Sequence, residues 1–297
     1  MLNAGVVAAV TNNGAGVAGV AQAASLVACQ FMDAQGSGAT SSAVLCINYC
    51  LQVGSNIISN SWGDSTYSAT LSAAVKRASD KGVLVVASAG NYALDTDTVP
   101  QYPSAFSQEN TAVISVAALE QGGSLWPRSC YGTTTVQIGA PGVSIPGLGL
   151  NGGYTTESGT SMAAPVVTGA AVLLLAQLAA DGFNINATLT VGQAVRLAIV
   201  EGASKSLDPD KLPGGRLNVT GALAALKAGK FYAQGATAFN KAAASSGSSV
   251  PIAAVTTIVG IVVGFLLAVV LFLVVQKIKK RRLRVYEAEP PPVSPQA

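Results

Sequence analysis

The chain has 297 residues, half of them apolar and only 10% charged, against about 25% in ordinary soluble domains. That excludes a disordered, collagen-like or coiled-coil protein and calls for a large core, a membrane span, or both. Histidine is absent altogether, so the chain offers no imidazole base and no histidine ligand for a metal. The net charge of +3 is local. From Gln276 onward there are six basic residues against Glu287 and Glu289, which leaves 11 basic and 12 acidic side chains before it. With no basic face on that larger part, no nucleic-acid partner is expected.

In chain order, the start MLNAGVVAAV lacks the basic flank of a secretory signal, and Lys76 is the first Lys or Arg. Ala24–Phe31 reads as a strand, Gln35–Gly38 as a turn and Ser41–Val53 as a helix. Asn56–Ser61 reads as a strand and Ala69–Lys81 as a helix ended by Gly82; the apolar strands Val83–Ala87 and Ala112–Ala118 follow. Fully apolar strands alternating with helices predict an α/β fold, a parallel sheet covered on both faces. The larger domain is set at 1–228, and the small, polar stretch 229–251 suits a flexible stalk. Residues 252–275 are twenty-four uncharged, largely Val, Leu and Ile positions, enough for one transmembrane helix. The basic cluster after that run predicts a single-pass protein with 276–297 cytosolic and the larger domain extracellular or lumenal. Gly260 and Gly264 form a GxxxG pair, which allows a homodimer through the span or arises by chance.

Four cysteines (Cys29, Cys46, Cys50 and Cys130) allow three pairings. Cys46 and Cys50 lie one helical turn apart, where a bridge would be strained, so a labile bridge or none is expected between them. The sequons at Asn186 and Asn218 agree with lumenal exposure. The tail segment Pro290–Pro295 fits a solvated end or a polyproline ligand for a small recognition module.

The chemistry is concentrated in Glu157-Ser158-Gly159-Thr160-Ser161-Met162-Ala163-Ala164-Pro165, which precedes the largely apolar run Val166–Ala176. A tight turn into a helix places the Ser161 hydroxyl where the helix dipole and free N–H groups favour developing negative charge. Alone, the motif reads first as a helix cap.

With its neighbours, this motif resembles the nucleophile motif of the subtilisin-like serine peptidases (peptidase S8), and the resemblance covers roughly residues 4–227. Val83–Asn91, reading VLVVASAGN, resembles the family's oxyanion segment, with Asn91 as the amide donor. Asn60-Ser61-Trp62-Gly63 resembles the substrate-binding strand, and Ala140–Val143 and Gly214–Val219 match further motifs in family order. The resemblance implies a parallel sheet flanked by helices and peptide-bond hydrolysis through an acyl-enzyme on Ser161. It implies polypeptide substrates and no cofactor for the chemistry. Ser61, Trp62 and Gly63 with Ser88, Ala89 and Gly90 would line the cleft for the residue before the scissile bond. Trp62 would make an apolar rim or lie in the core behind it, and no acidic pocket is evident among Asp64, Asp95 and Asp97. Thr11–Ala21 is similar to a loop that wraps calcium in many members, with Asn13 as one ligand of a structural ion.

In the same register the family's catalytic His and Asp would lie before Met1, so the implied sheet is incomplete. A serine hydroxyl attacks a peptide carbonyl usefully only when an adjacent base takes its proton. In subtilisin itself, loss of the histidine costs about 2 × 10⁶ in kcat. Three readings stay open: a membrane-anchored endopeptidase without its Asp/His part, a peptide-binding pseudoprotease, and a fragment without function.

Overall fold

Apolar β-branched runs set between helices with polar outer faces build the sheet. The computed structural model describes residues 1–181 and 189–228. Sequon Asn186, the stalk, the expected transmembrane span with Gly260 and Gly264, and the tail all lie outside the described residues.

Four parallel strands form the main sheet in the order β1 (Ile57–Asn60), β2 (Leu84–Ser88), β3 (Val113–Leu119) and β4 (Ile138–Pro141). The register pairs Ile57 with Leu84, Val85 with Val113, and Val116 with Ile138. Every residue of β2 and β3 is buried, which is why LVVAS and VISVAAL show no polar alternation: both faces are covered. On one face, α2 (Thr40–Gln52) and α3 (Ala69–Asp80) pack Ile47, Leu71 and Val75 against Ile58, Val85 and Val113. On the other lie α4 (Thr160–Asp181), α5 (Val191–Glu201) and α6 (Val219–Lys227), with Leu174, Ile199 and Leu226 fully buried on Leu84, Ile114 and Ile138. Each such side chain contributes about 1.5–3 kcal/mol relative to exposure.

The helix starts follow local chemistry. The Ser68 hydroxyl accepts from the Leu71 N–H and the Asn218 side chain from the Gly221 N–H. Thr190 and Gln193 cap α5 reciprocally. A short hairpin, β5 (Ile145–Leu148) with β6 (Tyr154–Glu157), precedes α4, and α1 (Leu2–Ala8) packs on α4 and β5. Among the described residues α4 is long and apolar enough to cross a bilayer, but it is mostly buried in this core.

The α/β expectation holds, with one correction. Ala24–Phe31 is not a strand. No main-chain hydrogen bond among the described residues joins it to the sheet, whose edge strand β1 pairs with β2, and Leu26 and Val27 are 54% and 46% exposed. Its apolar pattern favours a strand, but a strand exists only where a neighbour accepts its hydrogen bonds.

The cysteines also resolve. Cys29 bridges Cys46 with Cα atoms 5.6 Å apart, inside the range that a disulfide requires. Cys50 and Cys130 are free thiols, so no bridge joins Cys46 to Cys50.

Candidate active site

The site forms where the C-terminal ends of β1 and β2 meet the N-terminus of α4. Ser161 is the second residue of that helix, among the turn of N–H groups that have no intrahelical acceptor. Four residues on, Pro165 has no N–H to give to the Ser161 carbonyl. The Ser61 hydroxyl takes that role at 2.9 Å, and the Ser161 hydroxyl donates back to the Ser61 carbonyl at 3.2 Å. This reciprocal pair fastens the end of β1 to the start of α4. A carbonyl, however, cannot take a proton away. Among the described residues no carboxylate bonds to the Ser161 hydroxyl, and the chain has no imidazole.

Asn91 sits just past β2 and is held by Thr160. Its Oδ1 accepts from the Thr160 N–H and the Thr160 hydroxyl, both at 2.9 Å. The Thr160 Oγ1 in turn accepts from the Gly90 N–H at 3.1 Å. With the carbonyl end occupied, the Nδ2 end is the donor left for a ligand. Nδ2 lies 3.2 Å from where a Cβ on Gly159 would stand, so a side chain there would crowd it. Gly142 also requires its residue type: its carbonyl accepts from the Gly159 N–H at 2.7 Å, and a Cβ there would come within 2.7 Å of the Ala118 Cβ.

Ser61, Trp62 and Gly63 continue beyond β1, and Asp64 pairs with Tyr102 through N–H···O bonds of 2.9 and 2.7 Å. Ser88, Ala89 and Gly90 end β2 on the other side, backed by the Cys130 N–H donating to the Gly90 carbonyl. Ser88 and Ala89 are buried, Gly90 is partly exposed, and Gln101 and Cys130 lie behind it. Trp62 is half-buried, donates from Nε1 to Asn60 Oδ1 at 3.1 Å, and leans on the α2–α3 core. Among the described residues the Asn60 Nδ2 beside it is buried without a partner.

The acidic residues near the cleft have local duties. Hydrogen bonds from the Thr66 side chain and then from the Thr66 N–H, which the Asp64 carboxylate caps, hold the pKa of Asp64 below the usual carboxylate range. Asp95 caps the Asp97 N–H. Asp97 accepts from the hydroxyls of Thr133 and Thr135 and from both their N–H groups, at 2.6 to 2.9 Å. Burial acts against its charge, but the bonds from Thr135 and Thr133 outweigh it and hold the carboxyl well below the ordinary range. This clamp ties the loop that follows Asn91 to the segment 131–135.

Asn13 stands apart from the cleft, in the Val10–Ala18 loop, where its Oδ1 accepts from the Ala15 N–H at 3.1 Å. Asn12, with φ of 58°, and the surrounding carbonyls give that loop neutral oxygens only. Calcium takes six to eight oxygens and usually some carboxylates. Asn13 can contribute one ligand, and charged ligands would have to come from elsewhere. No group of three or more His, Cys, Asp or Glu side chains converges among the described residues.

The motifs single out Ser161 and Asn91 as candidates but not the residues that hold them. Thr160 and Pro165 stood in the quoted motif, and the partners they require could have been sought from chemistry alone. The Asp97 clamp and the Cys29–Cys46 bridge had no local signal.

The subtilase (peptidase S8) family model matches residues 1–227. Thermitase of Thermoactinomyces vulgaris is 40% identical over 174 residues, 59% of this chain and 60% of that protein. Subtilisin-like protease 3 of Plasmodium falciparum is 32% identical over 222 residues, 69% of this chain and 28% of its own length. The chain thus spans less than two thirds of either relative. Among solved structures, a serine-to-alanine mutant of the protease domain of PatA superposes with a TM-score of 0.67 at 30% identity, covering 77% of this chain and 80% of that one.

Proposed function

This chain belongs to the subtilase family, and from that premise we propose that it carries the nucleophile and oxyanion half of a membrane-anchored serine endopeptidase. Ser161 is the nucleophile, Asn91 Nδ2 the oxyanion donor, and Ser61–Gly63 with Ser88–Gly90 the walls that hold an extended polypeptide. The observation that carries the reading is Thr160 holding Asn91 by its oxygen, which presets the donor that a tetrahedral intermediate needs.

The reaction requires one further group. As Ser161 Oγ bonds to the scissile carbonyl carbon, its proton must pass to a base and then to the leaving amine. The Ser61 carbonyl, its present partner, orients the hydroxyl but cannot accept that proton. Among the described residues around Ser161 no carboxylate bonds to its hydroxyl, and the chain has no imidazole. In this reading the reaction therefore calls for an outside base. Without it the cleft binds extended peptides, and this non-catalytic role is the second reading that the carbonyl-bound hydroxyl supports.

A fluorophosphonate probe separates the two, because it reacts only with an activated serine. The 297-residue chain should stay unlabelled. The chain joined to the corresponding upstream segment of a subtilase relative should label at Ser161 and lose the label in Ser161→Ala. Labelling of the unextended chain itself would refute the requirement for an outside base. If the completed chain stays inert, the peptide-binding reading takes over. Membrane anchoring has its own test: a tag after Ala297 should resist protease added outside intact cells.

A further inference from the structure

Between α1 and α2, residues 19–21 are held by main-chain hydrogen bonds to Val6, Val7 and Ala9, whereas Ala24–Phe31 makes none among the described residues. Ala24–Phe31 has no strand partner among the described residues, yet Phe31 is fixed from four directions. Two residues before it, Cys29 is bonded to Cys46 on α2. Two residues after it, Asp33 closes a turn: its N–H donates to the Ser37 carbonyl at 2.8 Å, and its Oδ1 accepts from the N–H groups of Gln35 and Ser37 at 3.0 and 2.9 Å. Gly38 lies so close that a Cβ there would stand 2.8 Å from the Phe31 ring and 2.6 Å from its carbonyl oxygen. On the remaining side the ring meets Trp62 edge to face, with centroids 5.1 Å apart and planes at 71°. Trp62 is the residue next to Ser61, whose carbonyl holds the Ser161 hydroxyl.

The four restraints differ in kind. The Asp33 turn and the Gly38 contact belong to the segment itself and would move with it. The Trp62 contact is a ring pair of the sort that adds about 0.5–1.5 kcal/mol beyond burial. The covalent tie to the α2–α3 layer is Cys29–Cys46. We propose that Phe31 is a positioning residue for the cleft rim, acting through Trp62, and that the Cys29–Cys46 bridge is the latch that keeps it there.

A dithiol opens the latch. One of its thiolates attacks a bridge sulfur, the Cys29–Cys46 bond breaks, and the second thiol displaces the resulting mixed disulfide. The bridge gains two electrons and two protons, and the reductant closes to its own disulfide. The other thiols do not replace the lost bond. Burial pushes the Cys50 thiol up in pKa, and a bridge to Cys46 across one helical turn is strained. Cys130 is buried behind Gly90. Reduction therefore releases Ala24–Gly38 as a local unit while the sheet and α4 stay folded.

Trp62 reports this directly, because Trp126 is the other tryptophan of the chain and can be replaced. In the full-length Trp126→Phe protein in detergent, dithiothreitol should raise acrylamide quenching of Trp62 at least roughly twofold, as expected for local opening. Far-UV circular dichroism should not change. Phe31→Ala should show the raised quenching without reductant and respond no further, and Phe31→Tyr should restore the oxidised behaviour. Cys29→Ser/Cys46→Ser should match the reduced protein and ignore dithiothreitol. Hydrogen exchange on the unaltered chain, reduced against oxidised, supplies the same reading without substitutions, with faster exchange confined to 24–38 and Trp62.

The proposal fails if Cys29 and Cys46 are found unbridged in the oxidised protein, or if their reduction leaves Trp62 unchanged. It also fails if Phe31→Ala is silent, or if reduction unfolds the whole domain. The consequence for ligands rests on the peptide cleft proposed above. Affinity for a fluorescent extended peptide should fall about three- to tenfold on reduction, as expected when a preorganised wall is loosened. A Trp62 response without any change in peptide affinity would keep the latch and overturn the cleft.

Discussion

The two sides of the cleft are built on opposite plans. On one side, Ser161 and Asn91 stand on α4 and at the end of β2, elements with fully buried residues such as Leu174 and Val86. They are cross-tied through Thr160, Gly90, Ser61 and the Asp97 clamp. On the other side, Ala24–Gly38 is held by one disulfide, one ring contact with Trp62, one local turn and the close approach of Gly38 to Phe31. The difference teaches that the proposed nucleophile and oxyanion donor are set by many short bonds inside a packed layer, whereas the proposed rim is set by few. A change in the first should cost stability; a change in the second should alter the cleft while the fold survives.

The sharpest contrast is expected from the core that α4 buries against the sheet. Leu174→Ala, at a position with no exposure, should destabilise by about 3–4 kcal/mol. Urea unfolding followed by far-UV circular dichroism measures it, and a loss below about 1 kcal/mol would show that the α4 layer is less tightly packed than its burial implies.

Next is the Asp97 clamp. Asp97→Ala leaves the Thr133 and Thr135 donors without an acceptor and should cost about 1–2 kcal/mol, a figure discounted for the partial exposure of the site. The pH dependence has a definite sign. A carboxyl whose folded pKa lies below its unfolded value of about 3.9 stabilises fully above that pH, and the contribution is lost as pH falls through the lower folded value. Wild type should therefore lose stability in urea midpoints taken below about pH 4. Asp97→Asn should start lower and lose less over the same range.

Thr160→Val tests the oxyanion support. It removes the acceptor of the Gly90 N–H and one of the two donors on Asn91 Oδ1. The expected cost is about 1 kcal/mol of stability. In the chain completed with an upstream segment, kcat should fall about tenfold or more with KM little changed, because the affected donor acts on the transition state. An equal rise in KM would place Thr160 in ground-state binding instead.

The smallest effect on stability is expected at the rim. Gly38→Ala drives a methyl against the Phe31 ring and carbonyl. It should cost under about 1 kcal/mol, since little else depends on the segment. It should nevertheless raise the quenching of Trp62 by acrylamide. A large destabilisation would erase the contrast between the two sides.

The sequence by itself determined everything that depends on neighbours along the chain. The strands β2 and β3 were legible because burial on both faces demands unbroken apolar runs, and Ser161 and Asn91 because each lies in a short motif at a strand-to-helix or strand-to-loop turn. The missing imidazole was legible by counting. The tertiary structure decided whatever depends on a distant partner. Ala24–Phe31 has a strand's composition, but hydrogen bonds from another strand, not composition, make a strand. Cys29 pairs with Cys46 because α2 brings their Cα atoms to 5.6 Å, a distance that spacing along the chain does not encode. The sequence leaves the role of Asp97 open, and only the fold puts Thr133 and Thr135 around it. The Ser61 hydroxyl could be read as a ligand for substrate until Pro165 was seen to leave the Ser161 carbonyl in need of a donor. Local propensity and motif chemistry act within a few residues, whereas pairing, bridging and polar satisfaction are settled only when the layers close on one another.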